Sequence, residues 1–61
     1  MNDEKFNKVL LDLITKNDIR EITDFLKLNP TNKVDNFSIY WCEFKNKTEI
    51  LNLITEFNKG K

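Results

Sequence analysis

The sequence contains no histidine, and this absence removes several kinds of catalytic and metal site. Without an imidazole base, neither Ser38 nor Cys42 has the partner that usually activates a serine or cysteine nucleophile. The common zinc sites need histidine or several cysteines. Because Gly60 is the only glycine, the chain also lacks a glycine-rich phosphate loop. We therefore expect no enzymatic activity, no cofactor and no metal site.

A single cysteine, Cys42, excludes an internal disulfide. No apolar run approaches the roughly 20 residues of a membrane-spanning helix. Residues 1–8, MNDEKFNK, are charged and polar, unlike a signal peptide. These absences predict a cytoplasmic protein, because a lone thiol is typical of a reducing compartment.

The length of 61 residues predicts one small domain over residues 1–61. Such a short chain buries a small share of its surface and often depends on a partner or a second copy for stability. Ten basic side chains balance ten acidic ones, which is not the strongly basic field typical of nucleic-acid binding. The chain has nine asparagines and nine lysines but no alanine or glutamine, a composition that favours an AT-rich phage or bacterial genome.

Apolar residues recur at helical spacing along most of the chain. A first helix is predicted over residues 3–16, with acidic side chains in its first turn. Asp18 followed by Glu21 is typical of the start of a second helix, and that helix must end before Pro30. The pattern thus predicts two consecutive amphipathic helices in the first half of the chain.

Two further helices are predicted in the second half of the chain. Asn29 is suited to cap a third helix, with Pro30 as its first residue. Residues 47–57, KTEILNLITEF, form an amphipathic fourth helix. Gly60 lies just beyond that helix, where a left-handed residue commonly ends it.

The segment FSIYWCEFK, residues 37–45, is open to two interpretations. Its aromatic and β-branched content favours a strand, but as a strand it is apolar on both faces and needs neighbouring strands that the chain does not supply. As a helix it continues from residue 34 and gathers its largest apolar side chains on one face. Those side chains are Val34, Phe37, Tyr40, Trp41 and Phe44.

We therefore predict an all-α domain of three to four short amphipathic helices. An α+β fold with residues 37–45 as a strand is the alternative. The predicted core consists of the largest side chains on the apolar faces: Phe6, Leu10, Leu13, Ile22, Leu26, Phe37, Trp41, Leu51 and Ile54.

Residues 10–15, LLDLIT, and residues 50–55, ILNLIT, share four of six letters. Nothing outside these letters aligns at that spacing. A repeat protein also needs about three units, which a period of forty residues does not allow here. We interpret the match as convergence of two amphipathic helices and not as a duplicated functional unit.

Apolar residues outside the predicted helical stripes indicate a binding surface. Leu11, Leu28, Ile39 and Cys42 are such residues, and tyrosine and tryptophan are enriched at binding hot spots. The predicted partner-binding residues are Ile39, Tyr40, Trp41 and Cys42. We expect a small non-catalytic protein-binding module, such as a phage or bacterial inhibitor, adaptor or regulator, that presses a helix face onto a larger protein or onto a second copy.

A helix-turn-helix DNA-binding regulator is the alternative function. In that interpretation the second helix, the turn at Asn29–Pro30 and the third helix form the unit, and the start of the third helix enters the major groove. The predicted DNA-binding residues are Thr31, Asn32, Lys33 and Asn36. The turn lacks the glycine frequent in such units, and the balanced charge also counts against this function.

Overall fold

The first helical hairpin is defined by polar caps at its turn. The computed structural model describes every residue from Met1 to Lys61, and it contains helix α1 from Asp3 to Lys16 and helix α2 from Ile19 to Leu28. Asn17 ends α1 in the left-handed conformation, with a φ of 61°. The next residue, Asp18, begins α2 by accepting a hydrogen bond from the backbone N–H of Glu21 at 3.1 Å. Two residues therefore reverse the chain, and the predicted cap at Asp18 is confirmed.

The second hairpin follows the same plan. Helix α3 runs from Asn36 to Phe44 and helix α4 from Thr48 to Asn58. Asn46, with a φ of 55°, supplies the left-handed residue in the connection. Gly60 has a φ of 83°, as predicted for the residue that follows the last helix. The all-α prediction is confirmed, and the strand alternative for residues 37–45 is wrong.

Helix packing joins the two hairpins into a stack. Besides packing within each hairpin, α1 packs against α3 and α2 packs against α4. The first helix of one hairpin therefore lies beside the first helix of the other, and the two second helices also lie side by side. None of the helices combines the length and hydrophobicity that crossing a membrane requires.

The core lies between the two hairpins. Five of the predicted core residues, Phe6, Leu10, Ile22, Leu26 and Ile54, are buried, while Leu13, Trp41 and Leu51 are half-buried against them. Phe37 is not part of the core. The complete buried apolar set is Phe6, Leu10, Ile14, Ile22, Leu26, Val34, Cys42, Ile50 and Ile54.

The burial pattern repeats with a period of 28 residues. From residue 10 to residue 29, the succession of buried, half-buried and exposed residues is identical to that from residue 38 to residue 57. Buried Leu10 and Ile14 correspond to Ser38 and Cys42, for example. Helices α1 and α3 also end 28 positions apart. The two hairpins therefore share one burial pattern over these residues, although the starts of α2 and α4 lie 29 positions apart.

The match between residues 10–15 and residues 50–55 is a different feature. The first segment lies in α1 and the second in α4, which occupy non-equivalent places in the two hairpins. That match is therefore not a structural duplication. The 28-residue repeat is not visible in the sequence alone, because few equivalent residues are identical. The clearest identity is between Glu21–Ile22 and Glu49–Ile50.

The predicted start and orientation of the third helix are wrong. Helix α3 begins at Asn36 instead of Pro30, because Asp35 caps it by accepting from the N–H of Ser38 at 2.9 Å. Its buried side chains are the small residues Ser38 and Cys42. Opposite the large side chains of α1, small residues let α3 pack closely. Three of the four aromatic side chains of α3, Phe37, Tyr40 and Phe44, turn outward instead.

Candidate functional site

Loop 29–35 leads into α3 and determines which face of that helix contacts the core. An asparagine of α1 binds this loop. Asn7, buried in α1, donates from Nδ2 to the carbonyl oxygen of Lys33 at 2.9 Å. Its Oδ1 accepts from the backbone N–H of Asp35 at 2.9 Å. The same Nδ2 also donates to the carbonyl of Asp3. Asn7 therefore attaches Asp35, the residue that caps α3, to the second turn of α1.

A second asparagine holds the same loop from α4. Asn58 donates to the carbonyl oxygen of Val34 and accepts from its N–H, both at 2.9 Å. These two bonds resemble one rung of a β-ladder and bring the Val34 side chain into the core. Together, Asn7 and Asn58 bond to three successive residues of the loop, Lys33, Val34 and Asp35, directly before the start of α3.

A third asparagine connects the loop to the N-terminus. Asn32 is buried, and its Nδ2 donates to the carbonyl of Met1 at 2.7 Å and to Oδ1 of Asp3 at 2.8 Å. The N–H of Lys33 also donates to that carboxylate. These bonds, the one from Asn32 first, lower the pKa of Asp3 below its usual value of 3.8.

With α3 held in this way, four aromatic side chains form one surface that we call the aromatic face: Phe37, Tyr40, Trp41 and Phe44. Phe37, Tyr40 and Phe44 are 57%, 62% and 64% exposed. At about 100° per residue, these three lie within about 60° of one another on the helix. Most of the aromatic surface of α3 therefore faces solvent.

The aromatic rings stack on one another along the helix. Phe37 stacks on Trp41 with ring centroids 6.4 Å apart, and Tyr40 stacks on Phe44 at 6.3 Å. Trp41 and Phe44 are also 6.3 Å apart and connect the two pairs. Such contacts restrict the side chains before any partner binds, which lowers the entropy cost of binding.

The aromatic face ends in a single positive charge. Nζ of Lys45 lies 5.1 Å from the ring centroid of Trp41 and 5.6 Å from that of Phe44. These are cation–π distances. The C-terminal end of the face is therefore suited to a partner with an acidic group beside its apolar surface.

Trp41 anchors the aromatic face to the protein. Its ring is half-buried, and its Nε1 is shielded from solvent without a hydrogen-bond acceptor. An unpaired buried donor costs about 1–3 kcal/mol. The apolar contacts of the indole ring, rather than its N–H, therefore hold Trp41 in place.

The equivalent positions in α1 show what the fold requires at this surface. Tyr40 corresponds to Asp12 and Phe44 to Lys16, and these α1 residues form an exposed ion pair at 3.2 Å. The first hairpin therefore folds with charged residues where α3 has aromatic rings. The fold itself does not explain Tyr40 and Phe44.

The four predicted partner-binding residues do not share one surface. Tyr40 and Trp41 belong to the aromatic face. Ile39 is half-buried on another side of α3, and Cys42 is completely buried. Burial raises the pKa of the Cys42 thiol, an effect that Lys47 partly opposes. The sequence pattern does not predict Phe37 and Phe44 at the surface, because it turns the face with the largest side chains of α3 toward the core.

The predicted DNA-binding residues lie mostly outside a helix. Thr31, Asn32 and Lys33 belong to the loop, and only Asn36 is in α3. The amide of Asn32 is bonded inside the protein. In addition, α2 and α3 each pack mainly against α1 and α4 instead of against each other. Helices α2 and α3 therefore do not form the packed pair of a helix-turn-helix unit, and DNA binding itself stays a prediction.

No protein family, curated protein or solved structure matches this chain.

Proposed function

We propose that this chain is a non-catalytic protein-binding module whose aromatic face docks onto a larger partner protein as an inhibitor, adaptor or regulator. The observation that supports this function is the difference between two equivalent surfaces. Where α1 has Asp12 and Lys16, α3 has the exposed rings of Tyr40 and Phe44. Exposed contiguous aromatic surface of this kind is typical of interaction sites.

The chemistry of the face indicates what kind of partner surface it fits. Three exposed rings in a line along a helix suit an apolar groove on the partner. Lys45 at the end of the line favours an acidic group at the rim of that groove. A cytoplasmic location agrees with this proposal, since Cys42 is a free thiol.

The test replaces the two rings with the charged pair that the fold accepts in α1. The variant Tyr40→Asp/Phe44→Lys is compared with the wild-type chain in capture of proteins from a bacterial lysate, followed by titration calorimetry with the purified captured protein. We expect the double variant to bind at least about 30-fold more weakly, which corresponds to about 2 kcal/mol.

A matched control removes an exposed apolar side chain elsewhere. Leu28→Glu alters a residue of α2 that is 79% exposed and lies outside the aromatic face. This variant should keep wild-type affinity for the captured protein. Equal affinity of the Tyr40→Asp/Phe44→Lys variant and the wild-type chain would contradict the proposed function.

A further inference from the structure

Helices α2 and α4 leave an open cleft between their C-terminal halves. Its volume is about 580 Å³, which lies in the range of about 300–1,000 Å³ typical of small-molecule sites. One wall comes from α2 and the loop after it, and the other comes from α4 and the residues after it. No residue of α3 lines the cleft, so it is separate from the aromatic face.

The walls of the cleft are largely apolar. Leu26 of α2 is only 4% exposed, and Leu53 and Phe57 of α4 are half-buried. Phe57 also stacks on Phe6 of the core, with ring centroids 6.0 Å apart. The core therefore fixes the position of this ring, and the apolar wall is formed before any ligand binds.

Two polar side chains of the cleft are already paired within their own part of the chain. Thr23 donates its hydroxyl hydrogen to the carbonyl oxygen of Ile19 at 2.8 Å. Glu56, the one acidic residue that lines the cleft, pairs with Nζ of Lys59 at 3.2 Å. A cation outside the cleft therefore balances its negative charge.

Two lysines at the cleft carry positive charge that no carboxylate balances. Lys27 and Lys61 line the cleft, and neither takes part in the ion pairs of the structure. Nζ of Lys61 donates to the carbonyl oxygen of Pro30 and lies 3.8 Å from the ring centroid of Phe57. This ammonium group is therefore held beside the apolar wall, and its remaining N–H groups can donate to a ligand.

We propose that this cleft binds a small amphiphilic carboxylate, a molecule with one acidic group on an apolar chain. The chain lies against Leu26, Leu53 and Phe57, and the carboxylate pairs with Lys27 and Lys61. Charge complementarity selects this class of ligand, because a cation of the same shape is repelled by the two ammonium groups and a neutral molecule leaves them unpaired. This site is independent of the proposed protein-binding function.

The charges along the groove between α2 and α4 also orient the ligand. A second recess, of about 410 Å³, continues the cleft toward the start of α4 and shares Thr23, Leu53 and Glu56 with it. Glu49, in the first turn of α4, adds negative charge at this far end. The carboxylate therefore lies at the lysine end of the groove, and the apolar chain extends past Leu53.

Titration with octanoate, followed by the backbone amide signals of the isotope-labelled chain in nuclear magnetic resonance spectra, tests this site. We expect a dissociation constant of about 1 mM, as for a ligand of about ten non-hydrogen atoms. The largest shifts should fall on residues 23–30 and 53–61. Octyltrimethylammonium has the same apolar chain with the opposite charge, and it should bind at least about tenfold more weakly.

Neutralising the two lysines tests the origin of this preference. Lys27→Gln/Lys61→Gln should weaken octanoate binding at least about fivefold. Both residues are exposed, so the fold should be kept, which the spectrum of the unbound variant verifies. Lys5→Gln is the matched control because Lys5 is an exposed lysine of α1 outside the cleft, and its affinity should equal that of the wild-type chain.

The aromatic-face variant separates this inference from the proposed function. Tyr40→Asp/Phe44→Lys should bind octanoate like the wild-type chain, because neither residue lines the cleft. Shifts centred on the aromatic face, equal affinity for octanoate and octyltrimethylammonium, or unchanged affinity of Lys27→Gln/Lys61→Gln would each overturn the proposal. An absence of shifts at about 10 mM octanoate would also overturn it.

Discussion

Asn7 joins α1 to the start of α3 by accepting a hydrogen bond at Oδ1 from the backbone N–H of Asp35, at 2.9 Å. Asp35 then caps α3 through the N–H of Ser38. A side chain 28 positions before Asp35 thereby decides where α3 begins and which face it turns to solvent. The aromatic face depends on this contact.

Asn7→Ala should destabilise the protein by about 2–4 kcal/mol. The substitution leaves the N–H of Asp35 and the carbonyl of Lys33 without their partner, at about 1–3 kcal/mol for each buried group. Urea unfolding followed by circular dichroism measures the loss. Asn36→Ala is the matched control because Asn36 is exposed, and its effect should stay within about 0.5 kcal/mol. Equal effects of the two substitutions would contradict the role of Asn7.

The hydrogen bonds to Asp3 should make stability depend on pH in the acid range. Its pKa is lowered in the folded protein, so its contribution is complete above the unfolded value, about 3.8, and is lost as pH falls through the lower folded value. Asp3→Asn should remove this part of the acid dependence. Unfolding curves between pH 6 and pH 2, about the range in which carboxylates titrate, compare the two proteins. Parallel pH profiles would exclude the effect.

Cys42 should react slowly with thiol reagents in the folded protein. Its thiol is completely buried and its pKa is raised, so little thiolate is exposed at neutral pH. The measurement is the rate of reaction with a disulfide reagent in buffer and in denaturing urea. We expect the rate in buffer to be at least about a hundredfold lower, since reaction requires opening of the core. Similar rates in both solutions would place Cys42 at the surface.

The equivalence of the hairpins predicts equal energetic roles for paired residues. Ile22 and Ile50 are both buried and lie 28 positions apart. Ile22→Val and Ile50→Val should each cost about 0.5–1.5 kcal/mol, and by similar amounts, because each removes one methyl group from an equivalent site. Unfolding free energies of the two variants give the comparison. A difference above about 1.5 kcal/mol would show that the hairpins are not energetically equivalent.

The number and approximate bounds of the helices follow from local signals in the sequence. Asp18 and Glu21 mark one helix start, and apolar spacing marks the others. The start of α3 does not follow from such signals, because it depends on bonds from Asn7 and Asn58, which lie far from the loop in sequence. Local propensity favoured Pro30, and these distant partners overrode it.

The orientation of α3 illustrates a second limit. A periodicity analysis considers only hydrophobicity, so it places Phe37 in the core and Phe44 on the same apolar face of the helix. Close packing of helices also depends on side-chain volume. The small residues Ser38 and Cys42 lie four positions apart on the face of α3 that contacts the other helices. A stripe of small residues beside a stripe of aromatic ones was the available signal for an exposed aromatic face.

The most direct test of the central claim is the unfolding free energy of Tyr40→Asp/Phe44→Lys. If the aromatic face is not required by the fold, the variant should keep its stability within about 1 kcal/mol. The lost ring stacking is worth about 0.5–1.5 kcal/mol and is partly offset by the new ion pair. A loss of about 3 kcal/mol or more would contradict the account, since it would mean that these rings are part of the core.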